Sequence, residues 1–377
     1  MSGRRTLLAP RLFDGERLHE GPVAVAIEAG KIAALLAPAE APEAEPLPEG
    51  SLLAPGFVDV QVNGGGGVLF NDELTPAGLD AIARAHRGLG TTALLPTLMS
   101  AATEAIAAAM AAVRAAMAAG VEGIAGLHVE GPFFNPARKG IHPPEALRPI
   151  TEADLAVLTA PFPAPLMLTL APERVPLAAI ARLARAGVLV FAGHTEASAE
   201  TIAQAREAGL AGFTHLFNAM PPFASRAPGP VGAAFAGGGY AGLIADGIHV
   251  HPAALTATAA ALGPERVVLV SDSMPTAGSA VTQFAIGGRS IRLVEGRLVD
   301  EAGTLAGAHL DMAGAVRRMA GLPGVGRVAA LRMATRTPAA CLGLAGTIGC
   351  IAPGARADLV VLDRGGTVLR TLVGGNG

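Results

Sequence analysis

Short apolar runs recur between residues 52 and 272, and each run ends at a glycine, a proline or a polar residue. Most of the runs are separated by stretches with helical periodicity, such as residues 102–119, where Ile106, Met110, Val113 and Met117 share one face. The pattern predicts alternating strands and helices. The strand-like runs number eight and cover residues 52–64, 92–97, 123–131, 166–172, 187–194, 211–216, 240–247 and 267–272.

Helix-starting residues support this alternation. Thr75 followed by Pro76 is typical of a first turn, Thr151 with Asp154 forms a capping box, and the helix that begins near Ser198 ends at Gly209. Eight strands joined by right-handed helical crossovers predict an α/β fold, a (β/α)8 TIM-type barrel. An open doubly wound sheet is the alternative, but the glycine-rich residues 62–67 lack the G-x-G-x-x-G spacing typical of its nucleotide site.

The two ends of the chain predict a second, smaller unit. Residues 5–36 and 346–377 read as short strands with turns, and residues 37–50, with four prolines and four glutamates, read as an exposed linker. We expect residues 1–53 and 346–377 to form one small β-sandwich domain beside a barrel of residues 54–345. Within the barrel segment, residues 282–300 predict β-ribbons, followed by helices at about 309–320 and 326–336.

Composition excludes several classes of protein. The chain has 377 residues, 51% of them apolar and 16% charged, with a net charge of −3 and no basic run longer than Arg4-Arg5, so nothing indicates nucleic-acid binding. The most helix-like apolar stretch, 101–121, carries charges, and the first residues lack the apolar core of a signal peptide. Two cysteines exclude a disulfide scaffold. We therefore expect a cytoplasmic protein that does not bind membranes.

Reactive side chains of a barrel enzyme lie where its strands end. Of the histidines elsewhere, we expect His19 and His86 at the surface and His128 buried beside Glu130; His142 lies in the loop after Glu130. The polar residues at or just after the predicted strand ends are Gln61, Asn63, Glu130, His194, His215, Asp246, His249, His251 and Asp272.

Glu130, His194 and His215 together offer the two imidazoles and one carboxylate of a catalytic divalent-metal site. Such an ion lowers the pKa of its water towards ~7, and Asp272 would then act as general base and acid. Taken alone, Glu130 is equally a buried partner of an arginine, and a single strand-end histidine is more often structural. The three ligands and the acid taken together favour a metal-dependent hydrolase.

A proline-rich loop at residues 218–232 surrounds a single arginine, Arg226. Long loops of this kind are usually functional, and Arg226 would clamp an anionic group with help from His249. The alternative is a solvated arginine on a surface loop, and the two interpretations have equal weight.

Several motifs carry a resemblance that spans nearly the whole chain. The sequence resembles the N-acetylglucosamine-6-phosphate deacetylases of the amidohydrolase superfamily. The segments that carry the resemblance are PGFVDVQVNG (55–64), GLHVEGPFFNPARKGIH (126–142), LAPE (170–173), AGHTEAS (192–198), THLFNAMPPF (214–223), ADGIHV (245–250), LVSDSMPTAG (269–278) and GTIGCIAPGARADLVVLD (346–363).

The resemblance implies hydrolysis of N-acetylglucosamine 6-phosphate to glucosamine 6-phosphate and acetate. The alternatives are N-acetylgalactosamine 6-phosphate or another small N-acyl amide as substrate, or a sugar phosphate sensor without activity. The implied metal ligands are Glu130, His194 and His215, with Asp272 as general base and acid and His142 at the acetyl carbonyl. The implied substrate-binding residues are Ile141, His142, Asn218, Ala219, Arg226, Asp246, His249, Leu305, Ala306 and Gly307.

Two departures refine these expectations. Many superfamily members carry H-x-H at the end of the first strand, where this chain has Gln61 and Asn63, so we expect one ion per chain with these amides near it or at a weak second site. Zn²⁺ is expected, and Fe²⁺ and Co²⁺ also suit such ligands. The pair Ala308-His309 replaces small hydroxyl residues. The resemblance also implies a homodimer in which Arg226 and His249 serve the neighbouring site.

Overall fold

Eight parallel strands form the central sheet, in the order in which they occur along the chain. The computed structural model describes residues 5–377. Residues 1–4, which begin both the predicted small domain and the segment considered as a signal peptide, lie outside it. The strands, here called β1–β8, are Phe57–Val62, Thr91–Met99, Leu127–Glu130, Leu166–Leu170, Leu189–Ala192, Gly212–Phe213, Tyr240–Ile244 and Val267–Val270.

The sheet closes on itself just beyond the ends of β1 and β8. Val62 and Ser273 form a parallel bridge, and the Asp272 amide donates to the Gln61 carbonyl at 3.0 Å. The buried Asp59 carboxylate adds a side-chain contact across this seam, because its Oδ1 accepts from the amides of Gln61 and Ser271, each at 3.2 Å. The predicted (β/α)8 barrel is therefore confirmed, and the open doubly wound alternative is wrong.

Ten helices, α1–α10, occur in the described part of the chain. Thr75 and Thr151 cap their helices as predicted, and Thr151 forms the capping box with Asp154. The helix predicted to begin near Ser198 starts at Ala199, with Ser198 as its N-cap. No helix within residues 5–377 has the length and apolar character needed to cross a membrane. The helices are Pro76–Gly88, Thr103–Ala118, Glu152–Leu158, Leu177–Arg185, Ala199–Glu207, Gly229–Gly237, Pro252–Leu262, Met312–Ala320, Gly326–Ala334 and Arg336–Cys341; short 3₁₀ turns occur at Pro38–Glu40, Phe70–Asp72, Pro136–Arg138, Pro144–Ala146 and Pro172–Arg174.

Two further sheets join the ends of the chain. Leu52–Pro55 pairs in antiparallel register with Leu359–Leu362, so N-terminal and C-terminal segments share one sheet. A separate apolar core that includes Leu7, Leu53 and Val361 lies between the sheets. One sheet contains Lys31–Leu36, Val23–Glu28, Arg5–Ala9 and Glu45–Pro46, and the other contains Val368–Leu372, Leu359–Leu362, Leu52–Pro55, Leu12–Phe13 and Leu18–His19. The domain boundaries themselves stay a prediction.

The apolar run at 52–64 supplies two strands in different sheets, where the sequence pattern indicated one. Gly56 separates them, and a Cβ at this position would lie 2.1 Å from the Thr92 hydroxyl, so only glycine lets β2 pass this close. The linker prediction for 37–50 is wrong in part, because Glu45–Pro46 pairs with Arg5–Ala9.

A three-stranded antiparallel ribbon leaves the barrel after β8, as predicted. It consists of Gln283–Ile286, Arg289–Val294 and Arg297–Val299. A small hairpin, Gly64–Gly65 with Val68–Leu69, follows β1. The inner face of the ribbon packs on loops at the mouth of the barrel, in an apolar cluster of Leu69, Met99, Ile141, Met274, Ile286, Ile291, Leu298 and Ala306.

The long loop after β3 is anchored by one arginine. The Arg148 guanidinium makes a bidentate pair with the fully buried Asp154 carboxylate, at 2.6 and 2.7 Å. It also donates to the Thr103 hydroxyl at 3.0 Å and lies over the Phe133 ring. These hydrogen bonds hold the pKa of Asp154 below its usual value despite burial. The anchor fixes the loop that carries His142.

Arg148→Met should destabilise the protein, because it leaves the buried Asp154 carboxylate without its cation. We expect a loss of about 2 kcal/mol or more in the free energy of unfolding. Urea unfolding followed by circular dichroism measures this loss. The matched control is Arg182→Met. Arg182 pairs with Glu152, which lies on the same helix as Asp154, but this ion pair is exposed, so its loss should leave the midpoint unchanged. Equal midpoints for both variants would contradict the anchoring role.

Candidate active site

Three side chains from different strand ends converge inside the mouth of the barrel. Glu130 ends β3, and His194 and His215 follow β5 and β6 by two residues each. The distance from Glu130 Oε1 to Nε2 is 3.0 Å for His215 and 3.5 Å for His194, and the two Nε2 atoms are 3.1 Å apart. All three side chains are buried. The predicted ligand set therefore meets at one point.

The spacing and the tautomer of these groups suit a divalent cation. A tetrahedral ion with bonds of about 2.0–2.1 Å sets its ligand atoms roughly 3.3 Å apart, close to the three distances observed here. His194 Nδ1 lies 2.8 Å from the Arg138 carbonyl, which can only accept, so Nδ1 carries the proton and Nε2 presents a lone pair. Buried His215 Nδ1 has no partner within the described residues. The residues fit a metal ion.

Electrostatics within the group are strongly coupled. Burial alone would raise the pKa of Glu130, but the adjacent His194 and His215 imidazoles hold it well below its usual value. Burial lowers the pKa of His194. For His215, burial acts in the same direction, but the hydrogen bond with Glu130 and its charge raise the pKa overall. The carboxylate is thus ionised and attracts either a proton on His215 or a cation.

Asp272, two residues after β8, faces this group from the opposite side of the barrel seam. Its Oδ1 accepts from Asn63 Nδ2 at 2.7 Å and from Gln61 Nε2 at 3.1 Å, and Gln61 Nε2 also donates to Glu130 at 3.0 Å. Gln61 therefore bridges the two carboxylates. Burial, with the charge of Glu130, raises the pKa of Asp272 to about 6. A group with this pKa can both take and release a proton near neutral pH.

Backbone strain coincides with the converging side chains. His194, His215 and Asp272 have φ values of 51°, 29° and 48°, in the left-handed region that non-glycine residues rarely occupy. Such a conformation costs on the order of 1–3 kcal/mol per residue and persists only where the surroundings enforce it. Each strained residue lies two positions after the end of a barrel strand, where the turn of the chain directs its side chain into the mouth.

His142 completes the polar wall of the site. Its Nδ1 accepts a hydrogen bond from the backbone N–H of Ser100 at 3.3 Å and lies 2.8 Å from the Ser100 hydroxyl. Its Nε2 lies 4.0 Å from Glu130 Oε2. Because a backbone N–H can only donate, Nδ1 is the acceptor and Nε2 carries the proton. Burial, followed by the neighbouring His194, lowers the pKa of His142 to about 3. His142 is therefore a neutral hydrogen-bond donor directed into the site.

A cavity of about 370 Å³ surrounds these groups, which is large enough for a small metabolite. Asp246 lies behind its wall and binds His249 Nδ1 at 2.6 Å, and Ala306 lies in the apolar cluster below the ribbon. The predicted residues that line the cavity are Asn63, Glu130, Ile141, His142, His194, His215, Asn218, Ala219, His249, Asp272, Leu305 and Gly307. The roles of these residues stay predictions.

Arg226 is, with Asp246 and Ala306, one of three predicted substrate residues that do not line this cavity. It is exposed on the proline-rich loop and lines a separate groove with Glu196, Ser198 and Pro221. Among residues 5–377, no arginine or lysine lines the cavity that contains Glu130. The described residues therefore provide no guanidinium or ammonium group to the lining of this cavity.

Sequence reasoning missed a polar layer beneath the site. His128 is buried as expected, and its Nε2 lies 2.7 Å from the Thr169 hydroxyl, which in turn lies 2.6 Å from Thr214 Oγ1. Threonines at inward-facing strand positions were the available signal. The surface prediction for His86 is wrong, because its ring is buried, with Nε2 3.0 Å from the Gly64 carbonyl and 3.2 Å from Ser273 Oγ.

Known proteins share both the sequence and the fold. The model of the amidohydrolase family matches residues 52–376. An N-acetylgalactosamine-6-phosphate deacetylase from Shewanella sp. (strain ANA-3) is 45% identical over 332 residues, which cover 87% of this chain and 83% of the relative. The human N-acetylglucosamine-6-phosphate deacetylase is 36% identical over 341 residues, with coverages of 86% and 83%.

A solved structure agrees with this assignment over almost its whole length. The crystal structure of N-acetylglucosamine-6-phosphate deacetylase from Pasteurella multocida superposes with a TM-score of 0.94 at 30% identity, covering 99% of both chains. Sequence identity, coverage and the converging Glu-His-His group point to one conclusion. The chain belongs to the amidohydrolase family, among its amino sugar 6-phosphate deacetylases.

Proposed function

We propose that this protein removes the acetyl group from an N-acetylated amino sugar 6-phosphate by hydrolysis of the amide bond. The observation that carries the proposal is the convergence of Glu130, His194 and His215 opposite Asp272 inside one small-molecule cavity. Relatives with this activity are 32–45% identical to the chain over most of its length. A non-catalytic sensor would not need a carboxyl group placed for proton transfer.

The metal ligands would be Glu130, His194 and His215. A divalent ion bound there would supply polarisation of the acetyl carbonyl and activation of a water molecule. Zn²⁺ is the proposed ion because the nitrogen and oxygen ligands and their spacing suit a tetrahedral site. We propose one ion per chain, since Gln61 and Asn63 use their amide N–H groups on the carboxylates and present no imidazole.

Asp272 would move the proton. Both amides donate to its Oδ1, which leaves Oδ2 to receive a proton from the attacking water and pass it to the departing amine. A pKa of about 6 keeps Asp272 mostly ionised at neutral pH, as a base requires, and still allows it to hold a proton between the two steps. The neutral His142 would donate from Nε2 to the oxygen that becomes negative during attack.

The configuration of the sugar has two candidates. N-acetylglucosamine 6-phosphate is the first, since the human and Haemophilus influenzae relatives are named as deacetylases of this sugar. N-acetylgalactosamine 6-phosphate is the second, because the relatives named for it are 45% and 37% identical to this chain.

Acetate release from four compounds tests the substrate proposal: the gluco and galacto N-acetyl sugars, each with and without the 6-phosphate. We expect hydrolysis of the phosphorylated forms to be faster by roughly 100-fold or more, because charged hydrogen bonds contribute about 1.5–3 kcal/mol each. The faster of the two phosphorylated sugars identifies the configuration. Comparable rates with and without phosphate would refute a phosphate-specific deacetylase.

Asp272→Asn should abolish most of the turnover while leaving the metal bound. The expected loss in kcat is roughly 10²- to 10⁴-fold, the usual contribution of general acid–base catalysis. Metal analysis should still give about one ion per chain. The matched control, Asp80→Asn, alters a half-buried carboxylate on α1 that pairs with Arg84, and it should have wild-type kcat. Turnover retained in Asp272→Asn would remove Asp272 from proton transfer.

Arg226 would reach the phosphate of the neighbouring subunit's substrate in a homodimer, together with His249. Two observations support this proposal. No arginine or lysine within residues 5–377 lines the cavity, and Arg226 is exposed on its loop. On the same loop, Phe223 is 57% exposed, an apolar surface that a second copy would cover.

The free, buried cysteines Cys341 and Cys350 are consistent with the proposed cytoplasmic location.

Arg226→Ala should raise KM for the phosphorylated sugar by roughly 10-fold or more with little change for an unphosphorylated one. Mixing it with Asp272→Asn tests action across the dimer. Each mixed dimer would contain one site with intact Asp272 and an intact partner arginine, so random exchange should restore about a quarter of wild-type activity at low substrate. Arg185→Ala is the exposed control. An unchanged KM would return Arg226 to a solvated surface residue, and a raised KM without recovery on mixing would contradict its action on the neighbouring subunit's site.

A further inference from the structure

We infer that Glu173 is a positioning residue that sets the metal affinity of the site through His194; this inference rests on the proposed metal-dependent function. Glu173 lies in the 3₁₀ turn that follows β4 and contributes no atom to the cavity or to the ligand group. It belongs to the LAPE segment, to which the proposed mechanism gives no role. Its carboxylate joins the loops that follow β3, β4 and β5.

Both carboxylate oxygens of Glu173 are engaged by neighbouring loops. Oε1 accepts from Asn135 Nδ2 at 3.0 Å and from the Glu196 backbone amide at 2.7 Å. Oε2 accepts from the Thr195 hydroxyl, whose oxygen in turn accepts from the Ala197 amide at 2.9 Å. Asn135 belongs to the loop after β3, and the other residues follow β5. The Glu173 carboxylate therefore links the loop after β3, which contains Asn135, to the segment that directly follows His194.

These two segments hold His194 in its strained conformation. The Asn135 amide donates to the His194 carbonyl at 3.0 Å, and the Thr195 amide donates to the Ala219 carbonyl at 3.2 Å. The φ of His194 is 51°, so its backbone needs such support to stay in place. Glu173 binds the side chains of both residues whose amides provide this support.

The same link places the hydrogen-bond partner of the imidazole. The Arg138 carbonyl, which accepts the Nδ1–H of His194 at 2.8 Å, belongs to the short turn that begins after Asn135. The Arg138 guanidinium pairs with Glu196, so the turn and the segment after β5 are also joined at the surface. When the Glu173 link is lost, the turn and the imidazole can shift relative to each other. The lone pair of Nε2 then no longer points steadily at the ligand group.

The test is zinc binding to Glu173→Ala, measured by titration of the metal-free protein against a chelator of known affinity. We expect affinity to fall 10- to 100-fold, the usual effect of removing a group that orients a metal ligand. Glu173→Gln keeps the shape and can accept from Asn135 and Glu196 while donating to Thr195, so it should stay within a few-fold of wild type. Glu207→Ala, an exposed carboxylate on α5, is the matched control.

Thermal unfolding with and without zinc separates positioning from a purely structural role. Because a ligand stabilises the folded state according to its affinity, the difference in Tm between zinc-loaded and metal-free protein should be smaller in Glu173→Ala than in wild type. Wild-type zinc affinity in Glu173→Ala, or an equal loss of Tm in both states, would overturn the inference. A wild-type protein that binds no zinc would instead overturn the proposed function.

Discussion

The structure depends on bringing one carboxylate and two imidazoles to a single point inside a closed barrel. Glu130, His194 and His215 are far apart in sequence, and each pair of ligand atoms is 3.0–3.5 Å apart in the folded chain. Holding an ionised group and two lone pairs together in a buried site is unfavourable unless a cation or a proton compensates. The surrounding contacts can be understood as the means by which the fold maintains this arrangement.

Those contacts are distributed around the whole mouth of the barrel. Gln61 and Asn63 at the end of β1 hold Asp272 beyond β8, so this buried carboxyl group lies on the seam where the sheet closes. Asp59 lies two residues before Gln61 on β1. Its carboxylate accepts hydrogen bonds from the amides of Gln61 and Ser271, which lie on the two sides of the same seam. The contacts that close the barrel thus also place the Asp272 carboxyl group, which explains why polar residues are concentrated there.

Much of the barrel could be predicted from sequence because strand runs, caps and turns are local signals. Thr75 and Thr151 marked helix starts correctly. The predicted strand ends identified Glu130, His194 and His215 as residues that converge in the mouth of the barrel. Contacts between distant segments gave no such signal. His86 looks like a surface residue until the loops after β1 and β8 fold around it, and Glu45–Pro46 looks like a linker until Arg5–Ala9 pairs with it. The position of Arg226 relative to the cavity depends on packing that periodicity cannot express.

The sheet shared by the two ends of the chain has a consequence for synthesis. Leu52–Pro55 precedes β1 by a single glycine, and its antiparallel partner Leu359–Leu362 is made some 300 residues later. During synthesis, the nascent chain must therefore carry this apolar strand without that partner until residues 359–362 have been added. Until then the strand can pair only with Leu12–Phe13 on its other side, and its open edge stays prone to association with other chains.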